Sequence, residues 1–118
     1  TMDRIPETTK AMTQIASKYG YPPSEIGIYI QPLERGRIAH CEYNIFYSPE
    51  NQAEAERMRK LYVEAVEALI GLGAFFSRPY GKGTEIVYSR CTTYALALRK
   101  VKNIFDPNNV MNPGKLVF

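Results

Sequence analysis

The chain has 118 residues, 45% of them hydrophobic, with 15 basic and 12 acidic side chains and a formal net charge of +3. That length accommodates one domain with one core, residues 1–118, and the apolar fraction excludes a disordered chain. No block of like charge offers a footprint for nucleic acid, no apolar run approaches the roughly 20 residues of a membrane span, and no apolar signal core opens the sequence. The chain therefore reads as soluble and cytoplasmic. Cys41 and Cys91 lie far apart with only His40 nearby as a nitrogen ligand, so they read as reduced thiols rather than as a zinc site or a disulfide.

Taken in chain order, residues 6–19 place Met12, Ile15, Ala16 and Tyr19 at helical spacing, and Gly20 stands where a left-handed helix cap belongs. Tyr21-Pro22-Pro23-Ser24 cannot extend that helix. Ile26, Ile28 and Ile30 then alternate with Gly27, Tyr29 and Gln31, the pattern of a strand with one buried face. Residues 32–36 turn the chain into a second extended run, 37–47. One of its faces carries Ala39, Cys41, Tyr43, Ile45 and Tyr47, and the other carries Ile38, His40, Glu42, Asn44 and Phe46.

Ser48-Pro49-Glu50 is expected to start a long helix, because Ser caps free N–H groups and Pro is tolerated in the first turn. Met58, Leu61, Tyr62, Ala65, Leu69 and Ile70 form its apolar stripe, Glu54, Arg57, Lys60, Glu64 and Glu67 face water, and Gly71 and Gly73 end it. Residues 74–77 are expected as a third short strand and residues 78–83 as a loop. Thr84 followed by Glu85 favours a helix over 84–90, although Ile86, Val87 and Tyr88 would also suit a strand. A last helix over 93–104 has Leu96, Val101 and Ile104 among its apolar positions, and Asp106-Pro107 and Asn112-Pro113-Gly114 impose two turns. The expected fold class is α+β, an antiparallel sheet with helices packed on one face, much like part of a ferredoxin-like unit.

Three places carry groups suited to chemistry. In the loop, Arg78 presents a forked donor for an anion, with the Ser77 and Tyr80 hydroxyls beside it. His40, Glu42 and Asn44 share one strand face, where imidazole, carboxylate and amide can line a single cavity wall. In the C-terminal turn, Asn112 offers an amide, Gly114 a backbone that a ligand can approach closely, and Lys115 a cation for a phosphate. Each also has a plain reading: a surface arginine beside a turn, the wet face of a sheet, an ordinary terminal turn. No G-x-G-x-x-G, no G-x-x-x-x-G-K and no defensible nucleophile triad occurs, and one His with one Glu specifies no metal.

Four segments in succession, I-G-I-Y-I-Q-P-L at 26–33, G-R-I-A-H-C-E-Y-N at 36–44, G-A-F-F-S-R-P-Y-G at 73–81 and F-D-P-N-N-V-M-N-P-G-K at 105–115, span most of the chain. Together they resemble the C-terminal part of the vanillyl-alcohol oxidase and p-cresol methylhydroxylase family. The ending N-P-G-K-L-V-F is shared with related D-lactate and glycolate dehydrogenases. The resemblance implies a cap domain that covers the flavin ring of FAD and forms the substrate pocket, of which this chain is the last portion. Most of the FAD would be held by an N-terminal domain that this chain lacks, whether part of one parent chain or a separate subunit, so the chain alone would not catalyse.

The resemblance further implies that Arg78 matches the Arg of a Tyr-Arg pair that binds substrate as phenolate, with Ser77 standing in place of the Tyr. Beside a guanidinium, a phenol with a pKa of about 10 is favoured as its anion. The phenolate would then ease departure of a hydride to the flavin and leave a quinone-methide-like product for water to attack. His40 would be a pocket hydrogen-bonding or proton-transfer group, and Asn112, Gly114 and Lys115 would lie near the cofactor. A 2-hydroxy-acid substrate, whose carboxylate the same Arg78 could bind, and a stand-alone ferredoxin-like binding module or subunit are the competing readings. The sequence leaves a homo-oligomer open.

Overall fold

The computed structural model describes residues 1–116, so Val117 and Phe118 of the terminal signature lie outside the described residues. Four α-helices and one two-stranded antiparallel sheet make up the α+β fold, and the chain divides into two compact units, Thr1–Gly73 and Ala74–Phe118.

In the first unit, helix α1 (Ile5–Lys18) has Pro in its first turn, where the missing N–H is not needed, and buries Thr8, Met12, Ile15 and Ala16. Its C-terminus closes as the glycine signal predicts. Gly20 takes a φ of +67°, the Tyr21 N–H reaches back to the Ala16 carbonyl at 2.9 Å, and the Gly20 N–H reaches Ser17 at 3.0 Å. That six-to-one and five-to-two pair of bonds satisfies carbonyls that would otherwise end the helix unpaired.

Strands β1 (Gly27–Leu33) and β2 (Ile38–Asn44) form a hairpin through a tight turn at Glu34–Gly36, pairing Gly27 with Asn44, Tyr29 with Glu42 and Gln31 with His40. The expected buried isoleucine face is not found. Ile26 is buried but precedes the strand, while Ile28 and Ile30 are 46% and 39% exposed. The sheet has only two strands among the described residues, and a ribbon that narrow has little area to cover its own side chains.

Helix α2 (Gln52–Gly71) begins later than Ser48-Pro49-Glu50 suggests. Those residues instead make a turn, closed by the Asn51 N–H on the Ser48 carbonyl at 3.2 Å, and the Asn51 side chain caps the helix by accepting the Glu54 N–H at 3.2 Å. The Glu54 carboxylate returns to the Ser48 N–H at 3.3 Å, a capping box stretched over the turn. Along α2 the buried residues are Ala55, Met58, Leu61, Ala65, Val66 and Leu69. Val66, 1% exposed, was absent from the expected stripe, whereas Tyr62 and Ile70 are only half-buried. The α1 and α2 faces pack together, and each fully buried Leu or Met there contributes roughly 1.5–3 kcal/mol. Glu64, expected in water, instead receives Lys18 Nζ at 2.7 Å and the Tyr19 hydroxyl at 2.8 Å. Those donors, Lys18 first, hold its carboxyl below the usual range.

In the second unit, residues 74–77 form no strand. A strand exists by pairing its backbone, and this short apolar run has no partner among the described residues, leaving Phe75 65% exposed. The loop ends at Gly81. Helix α3 (Lys82–Arg90) already includes Gly83, so the expected helix at 84–90 is present and longer. Helix α4 (Thr92–Phe105) covers the expected 93–104, but Ala95 is its one buried residue, and Leu96, Val101 and Ile104 are 56%, 51% and 73% exposed. Within this unit α4 packs on the nine-residue α3, which is too short to cover a second side of it.

Candidate functional site

On β2, period-two alternation puts His40, Glu42 and Asn44 on one face, opposite Gln31, Tyr29 and Gly27 of β1. The structure joins the first two: His40 Nε2 lies 2.9 Å from Glu42 Oε1. An ionised carboxylate only accepts, so Nε2 carries the proton and a neutral imidazole keeps Nδ1 as its open lone pair. The Tyr29 ring meets the imidazole edge-on, with centroids 6.3 Å apart and planes at 66°. Both side chains remain partly open to solvent, at 36% for His40 and 44% for Glu42. Asn44 is exposed, and a Cβ added at Gly27 would come within 3.3 Å of the Asn44 Cβ, so glycine leaves room for the amide. The His40–Glu42 pair can orient a hydroxyl and accept its proton, and among the described residues no hydrogen bond joins Asn44 to it.

The opposite face of β2 serves structure. The Tyr43 hydroxyl bonds Thr8 Oγ1 at 2.8 Å and Thr9 Oγ1 at 3.0 Å, tying strand to α1, and burial pushes the phenol up against the lowering effect of those hydroxyls. Its place on the less polar strand face gave no sign of that tie.

In the second unit, Ser77, Arg78 and Tyr80 are all exposed on the segment between Gly73 and α3, while Pro79 between them is buried and anchors the backbone. None of the ion pairs among the described residues involves Arg78. Its guanidinium is thus presented to solvent, with a forked set of N–H donors and no carboxylate partner. Near this segment an aromatic cluster forms that the sequence did not announce: Phe75 meets Tyr94 edge-on at 6.2 Å, and Tyr94 stacks on Tyr88 at 6.3 Å.

The terminal segment of this unit is a defined turn. The Asn112 carbonyl receives the Lys115 N–H at 3.2 Å, with Pro113 and Gly114 at the corners and Gly114 at φ +74°. Proline at the first corner and a positive-φ glycine at the second are the demands of a type II turn. A Cβ at Gly114 would meet nothing within 4 Å, so the glycine serves the turn rather than a close approach by the chain itself. Asn112 and Lys115 line one open hollow with Phe105, Met111 and Leu116. Two of the three residues expected to lie near a cofactor are thereby brought together.

Beside that turn sits Asp106, whose place before Pro107 in the sequence marks only a turn. It is 4% exposed and accepts the Val110 and Met111 N–H groups at 2.9 Å each, and also the Lys102 ammonium. Lys102 donates in addition to the Met111 carbonyl. Lys102, with the two backbone donors adding to it, holds the Asp106 carboxyl below its usual range against the opposing effect of burial. The available signal was the opposite-charge spacing of four residues across the helix end.

Among the described residues no group of three or more His, Cys, Asp or Glu could hold a metal, Cys41 and Cys91 are free thiols, and no helix is long and apolar enough to cross a membrane. A family model described as FAD linked oxidases, C-terminal domain, matches residues 1–116. No curated protein and no solved structure matches the chain.

Proposed function

We propose a function from one premise, that this chain belongs to the FAD linked oxidase C-terminal domain family. It is the substrate-side portion of an oxidoreductase, part of a ferredoxin-like cap, and works with an FAD-binding domain from the same parent chain or a separate subunit. Its substrate is a para-substituted phenol. When bound, the flavin supplies the acceptor for a hydride.

The donor set suits such a cofactor. The Asn112 amide and the Lys115 ammonium share a hollow with apolar Phe105 and Met111 and with the paired Lys102 and Asp106, a combination suited to a flat ring system with polar carbonyl edges. Arg78 is the group that selects the substrate. Its exposed guanidinium, free of the ion pairs described, favours the anion of a bound phenol and so stabilises the charge that drives oxidation at the para position. His40, oriented through Nε2 by Glu42, offers Nδ1 to a hydroxyl proton or to water. That hydrogen-bonded pair is the observation that carries the reading, because a base held by a carboxylate on the face of a strand is more than a wet sheet surface.

Ser77 favours a second reading. A serine hydroxyl beside a guanidinium also suits a carboxylate, as in a 2-hydroxy acid. The two separate when the FAD-containing oxidase is mixed anaerobically with a para-alkylphenol or with a 2-hydroxy acid and flavin bleaching is followed. Bleaching by the phenol alone supports the first reading, and bleaching by the hydroxy acid alone replaces it with the second. Arg78→Ala should lower turnover per bound substrate by about 10- to 1,000-fold. An unchanged rate removes Arg78 from the mechanism.

A further inference from the structure

We propose that Asp106 is the positioning residue of the terminal segment, and that with Lys102 it holds Asn112 and Lys115 in the arrangement that engages the cofactor. This rests on the cofactor reading of Asn112 and Lys115. Three donors converge on one carboxylate that is almost fully buried: the Lys102 ammonium from the last turn of α4, and the Val110 and Met111 N–H groups from the segment that follows. Lys102 closes a second loop by donating to the Met111 carbonyl. Residues 106–111 are thus folded back onto the helix end, and the Asn112–Lys115 turn starts immediately where those bonds stop.

The backbone of this segment shows why such a clamp is useful. Asn109, Asn112 and Leu116 all hold positive φ without being glycine, at 50°, 49° and 53°. The two asparagines tolerate that region, whereas Leu116 takes it at a steric cost. An apolar core does not offset that cost, since Phe105, Val110 and Met111 are 78%, 75% and 60% exposed. Among the described residues the segment is held by two backbone turn bonds and by the charge-assisted bonding at Asp106 and Lys102, which is about twice as strong per bond as its neutral counterpart. Asp106 and Lys102 also line the floor of the hollow that Asn112 and Lys115 share, but the Asp106 carboxylate is taken up by its three donors, so its part is to gather the backbone that presents the turn.

The test uses the full FAD-dependent protein with Asp106→Asn, Asp106→Glu, Lys102→Met, Asn112→Ala and Lys115→Met. Amide hydrogen exchange is read at Val110 and Met111, and FAD affinity is read by titrating the FAD-stripped protein. Asp106→Asn should speed exchange at both amides and weaken FAD binding, each by about tenfold. Lys102→Met should speed exchange at both amides to a lesser extent, and that readout keeps the test decisive if Asp106→Asn does not fold; because Lys102 also lines the hollow, its FAD affinity is not a readout. Asp106→Glu should restore part of both. Lys115→Met should weaken FAD binding while leaving exchange unchanged. Unchanged exchange in Asp106→Asn and Lys102→Met overturns the proposal. Faster exchange with unaltered FAD affinity also overturns it, reducing Asp106 to a local structural role. If exchange responds as expected but neither Asn112→Ala nor Lys115→Met alters FAD affinity, the cofactor reading fails instead, and the role of Asp106 toward the cofactor falls with it.

Discussion

The two units are stabilised by different physics. Of the fifteen buried apolar side chains among the described residues, eleven belong to Thr1–Gly73, and four, Pro79, Val87, Tyr88 and Ala95, belong to Ala74–Phe118. The first unit buries two long amphipathic helices against each other and ends each with a glycine-assisted cap. The second has one short and one mostly exposed helix, and its terminal segment is organised around the buried Asp106 carboxylate. A dispersed apolar core tolerates partial loss, whereas a node of charge-assisted bonds fails when one group is neutralised or removed.

The largest effect should come from the first unit. Leu61→Ala, at a site 2% exposed, should lower its stability by about 2–5 kcal/mol in chemical denaturation. Exchange at Val110 and Met111 should not change, and if it does, the two units are not independently stabilised. Acid tests the second unit. The folded carboxyl of Asp106 titrates below its unfolded value, so its contribution is complete above about pH 3.9 and is lost as the pH falls through the lower folded value. Val110 and Met111 amides should lose protection over that range, and Asp106→Asn should abolish the transition. Glu64 is lowered in the same sense by Lys18 and Tyr19, so the first unit will also respond to acid, but through an exposed pair that salt weakens.

Smaller effects sharpen the contrast. Gly114→Ala forces a side chain into φ +74° and should cost the terminal turn about 1–2 kcal/mol, seen as faster exchange at the Lys115 amide. Asn51→Ala removes the α2 cap and should cost the first unit about 1 kcal/mol, read from the same denaturation curves as Leu61→Ala.

What the sequence made legible follows the same division. Helix α1, its glycine end, the hairpin and most of the α2 stripe could be read because local periodicity and turn chemistry decide them. Ser48 does not cap the helix: Pro49 suits a helix start and a turn equally, and only the Asn51 amide oxygen accepting the Glu54 N–H distinguishes them. Residues 74–77 have the composition of a strand, but pairing is a property of neighbours rather than of the segment. The apolar spacing of Leu96, Val101 and Ile104 marked a helix correctly and its buried face incorrectly, since burial depends on what lies opposite. Of the candidate site, His40 and Glu42 were placed together by strand alternation, and Asn112 and Lys115 by a turn whose residues dictate its type. The node at Asp106 was hidden because two of its donors are backbone groups, which sequence does not distinguish.

The Tyr21 side chain has a consequence for how the chain assembles. Its hydroxyl donates to the Glu25 carbonyl and accepts the Phe46 N–H at 3.1 Å, joining residues 25 positions apart. The hairpin lies wholly within that interval and closes through local contacts, at little entropic cost. Once Tyr21 has fastened both ends of it, α1 and α2 are separated by an effective linker of a few residues rather than by the full intervening sequence. One phenol thereby converts a long-range helix pairing into a nearly local one, and Tyr21→Phe should slow folding more than it speeds unfolding.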